Sequence, residues 1–252
     1  MPDSPQFTII TSTLNSGATL ERCLRSVAGQ SYASFEHLIA DGTSSDDTLA
    51  IVERFSPVYP LRLACSAPDT GLYQAWNRAL DQTRGQWILF LGSDDFLISG
   101  DILSSVAEAL VADSSLLASR FLYCDTVSAE ERTEWAIYQP HNWLYWLRGV
   151  TNFPTSVFIN AQLFQQGHRF DESYRICADH KFFAEHDLFG HGTYLPIPII
   201  SFQQGGISSD SNFELMHYLE RRRMLGELNR SRPWFTEWYY WLRSHKALLR
   251  AT

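Results

Sequence analysis

The run Trp87-Ile88-Leu89-Phe90-Leu91 is continuously apolar and breaks off into Gly92-Ser93-Asp94-Asp95. An apolar run this short suits a strand buried inside a sheet. Its abrupt end puts two carboxylates at the strand's C-terminal end, where open α/β sheets place their ligands. Adjacent acids repel each other and lose hydration there, so they are best tolerated around a divalent cation or a polar ligand. Gly, Ser and Asp also make ordinary strand-to-loop turns, and that reading stands beside the first.

The preceding residues repeat the arrangement. Strands are expected over 7–13, 36–40, 61–65 and 87–91. Helices between them start at Thr19 (apolar at Leu20, Leu24 and Val27), at Ser45 or Asp46 (Leu49, Ile51, Val52, Phe55) and at 73–83. Strands alternating with helices at this spacing imply an α/β fold with a mostly parallel central sheet and right-handed crossovers. The turns Asp41-Gly42, Asp69-Thr70-Gly71 and Ser93-Asp94-Asp95 then fall on one edge of that sheet. Beyond residue 100 the pattern loosens, with helices expected over 102–112, 142–148 and 178–189 and strands over 121–125 and 155–159. A last strand, 193–201, is interrupted by Pro196 and Pro198 and so reads as an edge or irregular segment.

A chain of 252 residues, 45% apolar, can bury a substantial core. Cys23, Cys65, Cys124 and Cys177 show no CxxC pair and no metal-ligand spacing, so neither disulfides nor structural zinc are expected. The first residues lack a basic n-region and no apolar run reaches membrane-spanning length, which gives a cytoplasmic expectation. The formal charge of −8 divides unevenly, since residues 220–252 hold eight Lys/Arg against three Glu. In that tail Trp234, Trp238, Trp241, Leu242 and Leu249 share a face at helical spacing. The face suits core packing, or an interfacial helix over 233–250 bound to anionic lipid at the inner face of the membrane.

Five segments in this order resemble the family 2 inverting glycosyltransferases of GT-A fold: Thr8-Ile9-Ile10-Thr11-Ser12-Thr13-Leu14-Asn15; Ser26-Val27-Ala28-Gly29-Gln30-Ser31-Tyr32; His37-Leu38-Ile39-Ala40-Asp41-Gly42-Thr43-Ser44-Ser45-Asp46-Asp47-Thr48; Pro68-Asp69-Thr70-Gly71-Leu72-Tyr73-Gln74-Ala75-Trp76-Asn77; and Gly85 to Asp95. The resemblance spans residues 6–210. It implies a GT-A domain over 1–210, with a nucleotide-sugar-binding half (1–100) and an acceptor and catalytic-base half (101–210); charge and helical spacing add a helical basic and aromatic extension over 211–252. It also implies a nucleotide-diphosphate sugar as donor, a UDP-sugar first, and a sugar or lipid-linked acceptor in surface polysaccharide or glycolipid assembly. Nucleic acid is not an expected partner.

The resemblance assigns Asp41 as acceptor for the base's ring N–H, with Thr11 and Asn15 lining the pocket; Asp41 alone would equally cap a turn. It places Asp69 in the donor pocket, where capping of backbone N–H groups is the alternative. Asp94 faces the ribose or sugar and Asp95 binds Mn²⁺ or Mg²⁺, ions that take hard oxygen ligands and often only one or two protein carboxylates. Asp179 matches the family's catalytic base, and could also cap the helix it begins. His180 is secondary and Asp171 structural. Gly205-Gly206-Ile207-Ser208 resembles a glycine-rich loop in which Ser208 reaches the diphosphate, or is a surface hinge. One departure is the Pro154-Thr155 pair where many relatives have His-Gln, which opens the question of sugar identity. Two other classes compete. A sugar-phosphate nucleotidyltransferase would need a basic Gly-rich N-terminal loop that Thr11 to Asn15 does not supply, and a non-catalytic nucleotide-sugar-binding scaffold would not need Asp41, Asp94, Asp95 and Asp179 together.

Overall fold

The computed structural model describes residues 4–129, 135–138, 156–202 and 214–228. The elements run β1 (Phe7–Thr13), α1 (Leu20–Ala28), β2 (Phe35–Asp41), α2 (Thr48–Phe55), β3 (Leu61–Ser66), α3 (Leu72–Leu80), β4 (Trp87–Phe90), β5 (Phe96–Leu97) and α4 (Ile102–Ala112). They continue with β6 (Phe121–Ala129), β7 (Trp135–Tyr138), β8 (Val157–Asn160), α5 (Gln162–Gln165), α6 (Ala178–Glu185), α7 (Leu188–His191), β9 (Gly192–Phe202) and α8 (Glu214–Glu227). All strands join one sheet in the order β3-β2-β1-β4-β8-β6-β9-β5, with β7 paired to β6.

The first four strands are parallel, as their spacing implies. At β8 the direction reverses: β8 runs antiparallel to both β4 and β6, while β9 returns parallel to β6. The sheet is therefore mixed, and its parallel character belongs to the half built from regular strand-helix repeats. Side chains alternate across it. Phe7, Ile9, Ile39 and Leu89 pack with α1, α2 and α4 on one face. Ile10, Leu38, Ile88 and Phe90 pack with α3, α5 and α6 on the other, where Met224 of α8 joins them. Helices on both faces explain why β4 carries no polar alternation.

Several expectations are refined. The third helix ends at Leu80, and the one expected over 178–189 stops at Glu185, because Asp187 turns left-handed (φ 52°) and starts α7 by accepting from Gly190 N–H. The residue flanking α2 is Asp47, although Asp46 still accepts from the Thr48 N–H. The strand with Pro196 and Pro198 is irregular, as read, but is not an edge: β9 lies between β6 and the two-residue β5. Its register against β6 jumps from Tyr123↔Tyr194 to Asp125↔Pro198, so the prolines fall where the ladder is already broken. The helix expected over 142–148 and the C-terminal aromatic segment lie outside the described residues. No helix among the described residues is long and apolar enough to cross a membrane.

The edge of the sheet opposite the strands' C-terminal ends is closed by a buried carboxylate. Glu36 accepts from the Thr8 hydroxyl (2.8 Å), the Arg84 N–H (2.7 Å) and the Arg84 guanidinium (2.8 and 2.9 Å). Burial pushes its pKa up, but these bonds outweigh burial and hold it low. The same network draws residue 85 against β1, where Gly85 N–H donates to Thr8 Oγ1 at 2.9 Å. A Cβ on Gly85 would lie 2.5 Å from the Thr8 nitrogen and 2.6 Å from the Phe7 carbonyl carbon. Gly85→Ala must push β1 and the start of β4 apart, so it is expected to destabilise by roughly 1–3 kcal/mol. The check is a lowered urea midpoint with an unchanged m-value.

Candidate active site

The loops after β1 and β2 are stitched together by short polar side chains. Asn15, left-handed at φ 51°, donates its N–H to Ser44 Oγ (2.8 Å), and its side-chain oxygen accepts from the Ser45 N–H (2.9 Å). Asn is among the few side chains that tolerate this conformation. Ser16 N–H donates to Thr48 Oγ1 and Gly17 N–H to Asp46 Oδ2, each at 2.8 Å.

At the end of β2, Asp41 is 1% exposed and accepts from Thr13 Oγ1 (2.9 Å), Ser44 Oγ (2.6 Å), Ser44 N–H (3.0 Å) and Ser66 Oγ (2.9 Å). Burial raises its pKa, yet the bonds from Ser44, Ser66 and Thr13 prevail and hold it low. A carboxylate has about four acceptor positions, so Asp41 is a filled junction between β1, β2 and β3. To receive a base's N–H it must exchange one of these donors, and Ser44, in a loop, is the one that can turn away. Beside it, a Cβ on Gly42 would lie 2.7 Å from Asp69 Oδ2, and Asp69 Oδ1 accepts from Gly71 N–H at 3.1 Å. Gly71 has φ 148° and ψ 177°, a backbone state open essentially to glycine, and α3 begins directly after it. Asp69 thus caps the turn into α3 while its other oxygen lies against the end of β2.

The acid pair after β4 converges on Gly92. A Cβ there would meet Asp94 Oδ1 and Asp95 Oδ2, both at 2.8 Å. Asp95 is 3% exposed and its N–H donates to Gly92 O (3.1 Å). Arg22 of α1 donates to the Asp94 carbonyl at 2.7 Å, which sets the loop's backbone, and the Ser93 and Ser16 hydroxyls are 3.0 Å apart, which joins it to the β1 loop. The charges of Asp95 and Asp94 also help burial push the Cys23 thiol up to about 12, so this cysteine is an inert core residue. Hard oxygens gathered over a glycine suit Mn²⁺ or Mg²⁺. Among the described residues no cluster of three or more His, Cys, Asp or Glu forms, so such an ion would complete its shell with phosphate and water oxygens.

Asp179, on the first turn of α6, is 4% exposed. Its Oδ1 accepts from the Tyr73 hydroxyl (2.9 Å) and from the His180 N–H (2.8 Å). Burial pushes its pKa up to about 6, against the lowering effect of these two bonds and of the Arg221 charge. Tyr73 lies on the first turn of α3, which starts beyond the C-terminal end of β3, so the bond brings Asp179 to the edge occupied by Asp41, Asp69, Asp94 and Asp95. Aromatic contacts support this placement: Phe170 lies 5.9 Å from Tyr73, 5.2 Å from Trp76 and 4.9 Å from Phe182 of α6.

The segment leading to Asp179 is held from behind by α8. Glu220 accepts from three consecutive backbone N–H groups, of Arg175 (2.6 Å), Ile176 (3.0 Å) and Cys177 (3.0 Å). Lys181 bridges Asp171 and Glu227, each at 2.7 Å, and Tyr174 donates to Glu227 at 2.8 Å. Asp171 is thereby structural, as its sequence context suggests, with the bonds from Lys181 and Ser173 overcoming burial to hold it at about 2.

Of the residues singled out in the sequence, Asn15, Asp41 and Asp69 meet around Gly42 and its neighbouring loops, Asp94 and Asp95 meet over Gly92, and Asp179 reaches the same edge through Tyr73. Thr11 does not join them. It is fully buried, with its hydroxyl 3.0 Å from His37 Nε2 and 3.9 Å from Cys23 Sγ on the α1 side of the sheet. It is a core residue beneath the site, and burial drives its partner His37 down to about 3, so that ring is neutral. Ser208 and the Pro154-Thr155 pair lie outside the described residues. Sequence reasoning gave no role to Tyr73, Glu220 or Arg221. A tyrosine inside an otherwise apolar helix face was the available signal for the first, because a buried hydroxyl needs a partner. The other two depend on contacts some 40 residues apart that no local pattern announces.

Comparison with known proteins speaks to the family and the fold. Residues 8–167 match the family described as Glycosyl transferase family 2. A Mycobacterium tuberculosis protein named PGL/p-HBAD biosynthesis glycosyltransferase is 32% identical over 212 residues, covering 82% of this chain and 80% of its own. A second protein of that organism, named as an uncharacterized glycosyltransferase, is 26% identical over 92% of this chain and 87% of its own. Among solved structures, Staphylococcus aureus TarS 1-349 in complex with UDP-GlcNAc superposes with a TM-score of 0.72 at 22% identity, covering 96% of this chain and 71% of that one. The mannosyltransferase PcManGT from Pyrobaculum calidifontis, in complex with GDP-Man and Mn²⁺, gives 0.69 at 17% identity, covering 99% and 76%. At these identities the superpositions speak for the GT-A fold alone, while the family match covers most of the chain: this protein belongs to glycosyl transferase family 2.

Proposed function

We propose that this glycosyltransferase moves a sugar, with inversion at its anomeric carbon, from a UDP-sugar to an acceptor hydroxyl, with Asp179 as general base. The observation that carries the reading is the placement of Asp179: a buried carboxylate with its pKa raised to about 6, at the sheet edge that also bears the Asp94–Asp95 pair. A base poised near neutrality combines the deprotonated form with real proton affinity. As the acceptor oxygen attacks, Asp179 takes its proton, the bond from the anomeric carbon to the diphosphate oxygen breaks, and the nucleoside diphosphate leaves. Attack from the face opposite the leaving group inverts the centre. Asp95 would hold Mn²⁺ or Mg²⁺, which when bound supplies positive charge for the departing diphosphate, with Asp94 toward the ribose or sugar. Asp41, Asn15 and Asp69 would frame the nucleoside, with Ser208 toward the phosphates and Thr11 supporting the floor from within. The relative named for PGL/p-HBAD biosynthesis supports a biosynthetic acceptor, and a lipid-linked one would give the basic, aromatic 233–250 segment a purpose at an anionic membrane.

Thermal shift with UDP, UDP-GlcNAc, UDP-glucose and GDP-mannose, with and without Mn²⁺, tests the donor class, since ligands that bind the folded state raise its apparent stability. A UDP-selective rise that needs Mn²⁺ is expected, and Asp95→Ala should remove the metal-dependent part while leaving the unliganded Tm unchanged. A rise that ignores both metal and substitution overturns the metal assignment.

Asp179→Asn should lower turnover by at least about 10²-fold with donor affinity retained. In the wild type, kcat should fall as pH drops through about 6, because protonated Asp179 cannot accept the acceptor's proton. The stability effect has the opposite sense. A carboxyl whose folded pKa lies above its unfolded value stabilises the fold below the unfolded value, and that contribution is lost as pH rises through about 6. The amide cannot ionise, so Asp179→Asn should raise Tm at pH above about 7, by roughly 2–4 °C per kcal/mol gained, with the gain gone near pH 4. Calorimetry across pH reads this directly.

For the 233–250 segment, co-sedimentation with phosphatidylserine vesicles but not phosphatidylcholine vesicles is expected, weakened in about 0.5 M salt. Indifference to both vesicle types rejects membrane contact.

A further inference from the structure

Two donors converge on one oxygen of Asp179: the Tyr73 hydroxyl at 2.9 Å and the His180 N–H at 2.8 Å both reach Oδ1. A carboxylate so bound is no longer symmetric, because charge on Oδ1 is already held by hydrogen bonds and a new proton goes more readily to Oδ2. The His180 N–H follows from the helix start and would accompany any aspartate at this position. The Tyr73 hydroxyl is different in kind. It comes from α3, 106 residues earlier in the chain, and its own side chain is buried, edge-on to Trp76 at 5.5 Å and tilted against Phe170 at 5.9 Å. With its ring held on two sides the hydroxyl cannot follow the carboxylate, so the carboxylate is oriented by it.

We propose that Tyr73 is a positioning residue of the transfer reaction, pinning Oδ1 of Asp179 so that Oδ2 is the atom presented to the acceptor hydroxyl. The proposal rests on Asp179 being the base. It also gives α3 a task beyond packing: the helix opens at Gly71 beside Asp69, so the residue that orients the base sits on the first turn of a helix whose start is set at the nucleotide-facing edge. Among the described residues, the other ionisable groups near the carboxylate include Arg221 from α8, whose charge favours the ionised form, and Cys177 and His180 beside it on its own segment. None of these would be altered by a change at Tyr73 that removes only the hydroxyl.

The test follows Asp179 by ¹³C NMR of protein carrying ¹³Cγ-labelled aspartate, with Asp179→Asn identifying its resonance, and measures nucleoside diphosphate release across pH with the sugar nucleotide selected by thermal shift. In Tyr73→Phe the titration midpoint should rise by about one pH unit, since a donor to the charged form is lost. The acid limb of kcat should move with it, kcat at its plateau should fall about tenfold, and the donor KM should stay within about twofold. Incorporation of 3-fluorotyrosine at position 73 keeps the shape and strengthens the donor, so the midpoint should move down. It decides the matter if Tyr73→Phe does not fold or if no sugar nucleotide is turned over, an unmoved midpoint then counting against the proposal. Inactive Asp179→Asn together with wild-type kcat in Tyr73→Phe overturns the role of Tyr73 and leaves the base in place. Full turnover in Asp179→Asn overturns both.

Discussion

A carboxylate shut away from water must find donors or lose its charge, and Asp41 finds four. Those donors come from the strand on one side, the strand on the other and the loop that follows, so satisfying one buried acid brings three chain segments to a common edge. The remaining architecture of that edge depends on this junction. Gly42 has no side chain because Asp69 already occupies the space, and Asn15 is left-handed because its neighbours in the next loop supply its hydrogen bonds. The loops after β1 and β2 are therefore joined through side-chain oxygens and backbone N–H groups, and the loop after β4 joins them through the Ser16 and Ser93 hydroxyls, which gives loops rigidity they could not obtain from apolar burial.

The two halves of the sheet serve different purposes. The parallel half is regular, with its carboxylates delivered by strand ends and helix starts. The mixed half is irregular and delivers a single residue, Asp179, to the same edge by way of a helix. What ties the halves together is an aromatic layer through Trp76, Phe90, Phe170 and Phe182. Such contacts position well because aromatic rings have few rotamers and large contact areas. Tyr73, whose hydroxyl meets Asp179, packs against Trp76 and Phe170 of this layer, so the layer also fixes the donor that reaches the carboxylate.

The parallel half was legible because each of its strands and helices carries its own period and its own punctuation. The acids at 41, 69, 94 and 95 fall on one edge by the rule that parallel strands joined by helices end on the same side of the sheet. Thr11 lies beneath the edge and not on it for a specific reason. Alternation along β1 sends Thr11 to the α1 face together with Phe7 and Ile9, while the resemblance assigned it by proximity to the loop. The mixed half was legible only in pieces. Pro196 and Pro198 announced irregularity, but the partner that accommodates it, β6, is about 70 residues away, and strand order in a mixed sheet is decided by such distant pairings. The bonds from Glu220 and Tyr73 belong to the same class.

The three backbone N–H groups of Arg175, Ile176 and Cys177 form a cradle of the kind that elsewhere binds free anions, and here Glu220 fills it. That choice has a temporal side. During synthesis the described strands up to β9, the acid-bearing loops and Asp179 itself are all made before α8, so these three N–H groups have no Glu220 to donate to until residue 220 has been added. A chain cut short before residue 220 would therefore hold every residue of the acid-rich edge and still lack the acceptor that secures the segment leading to Asp179.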